Sequence, residues 1–176
     1  MNKILSKSNL VKMINKIKSG KRSQKYISNG DIIKICIGLL SLGKVDFDSI
    51  NEFSDDPEYL KYALELECNE LPSESTFRSR LDEIGIKFNK IILAGNIDML
   101  KKNGIEPSAL LCGCVPVDID VTPMDNSKSN KEGVSRTYKG IDGYAPLVVY
   151  IGTEGFILNI QLRQGSQHCQ KGTPEI

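Results

Sequence analysis

The chain has 176 residues, 23 Lys or Arg against 22 Asp or Glu, a net charge of +1 and 40% hydrophobic residues. That suffices for one compact domain or two small ones, and wholesale disorder is excluded. The sequence has no stretch long enough for a membrane span and no secretory signal, and its five scattered cysteines without a disulfide framework fit a reducing, cytoplasmic setting.

The near-zero total hides an asymmetry. Residues 1–30 hold eight basic residues (Lys3, Lys7, Lys12, Lys16, Lys18, Lys21, Arg22, Lys25) and no acid, whereas residues 31–72 hold three basic residues against ten acidic ones. A basic arm beside an acidic segment suits an anionic partner such as nucleic acid; a solvated helix face is the plainer reading.

Residues 1–105 read as helices. Leu10, Val11, Ile14 and Ile17 form a helical stripe with lysines opposite, and Gly20 is the expected stop. "DIIKICIGLLSLG" is apolar nearly all round and reads as a buried central helix, with Asp31 as expected cap and Gly43 as stop. Asp56 before Pro57 predicts a helix start, because proline at the first helical position loses no hydrogen bond. Ser73 is the expected cap of the helix in "LPSESTFRSRLDEIG", whose stripe is Phe77, Leu81 and Ile84. As the second helix of a helix-turn-helix it would send Ser73, Ser75, Arg78 and Arg80 to DNA; it equally has an ordinary packing stripe. A last helix is expected over residues 87–103, with Phe88, Ile91, Ile92 and Leu100 inward and Gly104 as its stop.

From residue 110 the texture becomes β-rich. Strands are predicted over residues 114–121, 144–152 and 156–163, with "GTEG" as a hairpin turn between the last two. The first two are separated by about twenty residues, a length that in a compact domain is usually functional or mobile. In "VDIDV" the period of two puts Asp118 and Asp120 on one face and Val117, Ile119 and Val121 on the other. The apolar flanks predict a central strand. Two like charges there would need a cation or hydrogen bonds, and paired carboxylates suit Mg²⁺ or Mn²⁺. Read alone, the pair fits a half-solvated strand as well as a metal site. Cys112 with Cys114 and His168 with Cys169 lack zinc-ligand spacing, and the lone histidine suggests no nucleophile–base pair.

The ordered run of Asp118, Asp120 and Thr122, then Glu132 and Gly133, Tyr138 and Gly140, Gly143, Tyr144 and Pro146, and finally Leu162, Arg163 and Gly165, resembles the start of the catalytic domain of DDE-type transposases of bacterial insertion sequences. The matching group has a first strand reading "LDIDxT". The preceding "DFDSINEFSDDPEYLKYALELECNELPSESTFRSRL" resembles that group's helical N-terminal region, so the resemblance covers nearly the whole chain.

The resemblance implies an α+β chain: a helical, DNA-binding region over residues 1–106, then the first three antiparallel strands of an incomplete ribonuclease-H-like domain over residues 107–176. It implies DNA transposition by metal-dependent strand cleavage and transfer, with Mg²⁺ or Mn²⁺ held by Asp, Asp and Glu. Asp120 is the expected first carboxylate and metal ligand, with Asp118 as the alternate. In the family the other two acids lie on later elements, which Asp142, Glu154 and Glu175 do not match. The chain is therefore expected to be a truncated, inactive front part, with a non-catalytic DNA-binding or dimerising remnant as the alternative. The expected partners are DNA, at transposon ends and targets, and a second copy; no membrane is expected. Lys128, Lys131, Arg136 and Lys139 on the long loop, with Tyr138 among them, are candidate phosphate and base contacts, a solvated loop being the equal alternative; Arg163 is a further candidate contact or the partner of a structural carboxylate.

Overall fold

The computed structural model describes residues 2–18, 27–89 and 91–173. The chain is α+β and divides into two compact units, Met1–Gly104 and Ile105–Ile176. No helix among the described residues is long and apolar enough to cross a membrane.

The first unit contains α1 (Asn2–Lys7), α2 (Leu10–Asn15), α3 (Asn29–Ser41), a 3₁₀ helix (Phe47–Phe53), α4 (Pro57–Leu64), α5 (Glu74–Phe88) and α6 (Ile92–Lys102). Its main core joins Ile32, Ile35 and Leu39 of α3 to Ile50, Leu60, Leu64, Phe77 and Ile84. A smaller cluster packs Leu5, Leu10 and Ile14 against Phe88, Ile91 and Met99.

Local chemistry sets the helix ends. Ser73 caps α5, its hydroxyl accepting from Thr76 N–H at 3.4 Å, and Pro57 opens α4. Ser28 rather than Asp31 caps α3: its Oγ accepts from Asp31 N–H at 3.0 Å. Asp31, one turn inside and buried, accepts instead from Glu67 N–H at 3.2 Å and so ties α3 to the segment after α4. The expected first helix is α2, which ends at Asn15, short of Ile17; a further short helix, α1, precedes it, and between the two Asn9 N–H donates to Asp98 Oδ2 at 2.6 Å. The helix after Ser73 runs through Gly85 to Phe88, so the last helix starts at Ile92 rather than residue 87. Gly20, with Lys21, Arg22 and Lys25 of the basic arm, lies outside the described residues.

The second unit holds two antiparallel sheets. In the first, β1 (Val117–Val121), β5 (Leu147–Ile151) and β6 (Phe156–Gln161) lie in the order β1-β5-β6. The expectation of a central first strand is corrected: β1 is an edge and β5 is central. The preceding "LLCGC" segment is an exposed turn, so it offers β1 no neighbour. The continuous run "LVVYI", with Leu147, Val148 and Val149 buried, is what a strand paired on both sides requires. The β5–β6 turn at Gly152–Gly155 has both glycines at positive φ, 76° and 72°, as a tight hairpin turn demands.

The stretch between β1 and β5 is not structureless. It contains β2 (Met124–Asp125), β3 (Ser135–Arg136) and β4 (Asp142–Tyr144), forming a second sheet in the order β2-β4-β3. Gly143 and Gly165 permit this packing. A Cβ on Gly143 would overlap the Met124 carbonyl, and one on Gly165 the carbonyls of Ser135 and Gly143.

Candidate functional site

The register of β1 against β5 pairs Asp118 with Tyr150 and Asp120 with Val148. Both acids therefore share one face of the sheet, with Val148 and Tyr150 of β5 and, one strand further, Ile157 and Ile160 of β6. Ile157 and Ile160 are about half exposed, at 53% and 49%. The acids themselves are exposed, which corrects the expectation of buried like charges: water screens their repulsion, so the fold needs no cation to tolerate them.

Thr122 N–H bonds to Pro146 O and Gly152 N–H to Pro116 O, both at 3.0 Å. In an antiparallel ladder this phase turns the backbone groups of even-numbered β1 residues toward β5 and those of Val117, Ile119 and Val121 outward. The outward carbonyl of Val121 accepts from the Tyr138 hydroxyl at 3.3 Å. Thr122 Oγ1 donates to Asp120 Oδ2 at 3.0 Å and fixes that carboxylate.

An open groove of about 1010 Å³ adjoins this edge. Its apolar lining includes Ile119, Val121 and Leu147, and its polar lining includes Asp120, Arg136, Tyr138, Gln167 and His168. Asp120 borders the groove; Asp118 does not. Asp120, Tyr138 and Gly165 line the groove, and two bonds brace the neighbouring loop. Tyr144 donates its hydroxyl to Glu132 O at 2.8 Å, and Gly165 N–H bonds to Gly133 O at 3.3 Å. The first bond holds the loop after β2 to β4, and the second holds it to the segment after β6.

The loop cations differ in their surroundings. Lys128, Lys131 and Lys139 are exposed, and Lys139 Nζ lies 6.0 Å from the centre of the Tyr138 ring. Arg136 is exposed but lies 3.6 Å from Asp142, which offsets part of its charge.

Two candidate DNA contacts face inward. Arg163 is buried, donating to Gln161 Oε1 at 2.8 Å, Cys169 O at 3.2 Å and Thr173 Oγ1 at 3.4 Å; it braces the segment lining the groove rather than reaching outward. Arg80 is buried too, donating to Ile27 O at 3.1 Å and Asn29 Oδ1 at 2.5 Å. With its bonds made to neighbouring backbone and amide groups, it locks α5 to the start of α3. Arg78 is exposed, pairs with Glu74 at 3.1 Å and lies 4.9 Å over the Phe47 ring.

His168 and Gln167 border the groove, although the sequence pattern assigns them no role. Their place just after Gly165 of the ordered run is the available signal. Among the described residues, no three of His, Cys, Asp and Glu gather as metal ligands. Asp118 and Asp120 could contribute to holding one hard cation, but this donor set does not complete a two-ion centre. Comparison with protein-family models, with curated proteins and with solved structures gives no match.

Proposed function

We propose that this chain is a DNA-binding segment of a DDE-type transposase, carrying the first carboxylate of a ribonuclease-H-like site. The observation that carries this reading is the placing of Asp120 at the border of a groove that also holds Arg136 and Tyr138, next to a loop bearing Lys128, Lys131 and Lys139. Lysines supply phosphate contacts, and an exposed tyrosine supplies a stacking surface for a base. Asp120 is preferred over Asp118 because it alone of the two borders the groove and its oxygen is positioned by Thr122.

Mg²⁺ or Mn²⁺ is the cofactor of this reading, supplying charge neutralisation at the phosphate. Two-ion phosphoryl transfer needs carboxylates around a pair of ions about 4 Å apart. Among the described residues no third acid gathers with Asp118 and Asp120, which favours DNA binding without cleavage by these residues.

The test is incubation of the purified chain with supercoiled plasmid and Mg²⁺ or Mn²⁺, alongside a gel-shift measurement on the same plasmid linearised. Retarded DNA without nicking is expected. Metal-dependent nicking would overturn the non-cleaving assignment, and failure to retard DNA at low salt would overturn the DNA reading itself.

A further inference from the structure

The turn before β1 carries a second chemistry, independent of the DNA reading. Leu110 N–H donates to Cys114 O at 2.8 Å and Gly113 N–H to Leu110 O at 2.8 Å, closing the turn at both ends. Gly113 takes φ of 82°, a conformation that a residue without Cβ adopts freely. Cys112 and Cys114 flank it, both free and both exposed.

The other cysteines stand differently. Cys68 is buried and Cys36 half-buried, and burial raises both thiols above their ordinary range. Cys169 is exposed, with the His168 ring as its neighbour. The Cys112 thiol is instead held below its ordinary range by hydrogen bonds from Cys114, the backbone contribution being the larger. A thiolate is the attacking species in disulfide exchange, and a second thiol one residue away can resolve the adduct.

We propose that Cys112 and Cys114 form a dithiol site that reacts with low-molecular-weight disulfides, such as glutathione disulfide, and closes to an intramolecular disulfide. Cys112 thiolate attacks one sulfur of the small disulfide; that S–S bond breaks, and one thiolate departs and takes up the proton that Cys112 released. Cys114, losing its own proton, then attacks the Cys112 sulfur of the adduct and expels the second thiolate, which is protonated in turn. The protein loses two hydrogens and the small disulfide becomes two thiols. A metal is the weaker occupant, because no third donor gathers with this pair among the described residues.

The test uses the full chain with Cys169→Ser, exposed to glutathione disulfide at neutral pH, quenched by alkylation and mapped by peptide mass. The expected product is one peptide lighter by two hydrogens, with positions 112 and 114 linked. Adding Cys114→Ser should stop the reaction at a stable glutathione adduct on Cys112, and Cys112→Ser should lose the rapid uptake. Both side chains are exposed, so these variants leave the packing of the unit intact. A persistent adduct in the chain with both thiols, a disulfide-linked dimer, or no reaction would overturn the proposal. Reaction at Cys112 no faster than at Cys169 of the unsubstituted chain would overturn it too.

Discussion

The Tyr138 hydroxyl donates to the Val121 carbonyl at 3.3 Å, so a side chain from the loop after β3 occupies an outward-facing acceptor on the free edge of β1. The bond ties the basic loop to the strand that carries Asp120. Its net worth is about 1 kcal/mol, as for a hydrogen bond exchanged with water. Tyr138→Phe should therefore leave the unit folded while residues 135–140 exchange their amide protons faster. The ring is the proposed stacking surface, worth about 1–3 kcal/mol per base. Tyr138→Ala should thus weaken DNA binding clearly more than Tyr138→Phe; equal losses would show that the hydroxyl, not the ring, is the contact.

Arg78 and Arg80 lie two positions apart on α5 with opposite surroundings. Arg80→Ala strands the Ile27 carbonyl and the Asn29 side chain in a buried place and should destabilise the helical unit by about 1–3 kcal/mol. Arg78→Ala removes an exposed i,i+4 ion pair and should change stability by no more than about 1 kcal/mol. Urea unfolding of both variants reads the difference, and equal midpoints would contradict the structural role of Arg80.

Acid should loosen the segment that leads into β1. Ser108, with its hydroxyl first and its backbone N–H second, hydrogen-bonds the Glu154 carboxylate and holds its pKa below the ordinary range. A carboxyl depressed in the folded state contributes stability that is present above its unfolded value and lost as pH falls through the folded one. In an NMR titration Glu154 should protonate at lower pH than it does in Ser108→Ala. An unchanged midpoint would contradict the contact.

The sequence is legible where one residue type decides a local geometry. Ser73, Pro57 and the glycines of Gly152–Gly155 each act through their own backbone or hydroxyl, and each stands where its chemistry places it. The alternation of "VDIDV" likewise puts Asp118 and Asp120 on one face. Neighbour relations are not legible. The apolar flank of β1 predicts a central strand, yet that flank is a turn, and β5 with its three buried residues holds the centre. β2, β3 and β4 span two or three residues each, too short for any periodicity to register. The charges of Arg80 and Arg163 leave DNA contact and a structural role equally open, because the acceptors that hold them inward come from other segments, such as Asn29 and Thr173.

If the loop between β2 and β5 grips DNA, the salt dependence of binding shows it most directly. Anisotropy of a labelled random-sequence duplex, measured over a series of salt concentrations, gives the slope of log affinity against log salt. Each neutralised phosphate adds about 0.9 to the steepness of that slope through released counterions. The triple substitution Lys128→Ala, Lys131→Ala and Lys139→Ala should make the slope shallower by about that amount for every one of the three lysines that grips a phosphate, and should weaken binding at low salt. An unchanged slope with unchanged affinity would contradict DNA binding by this loop.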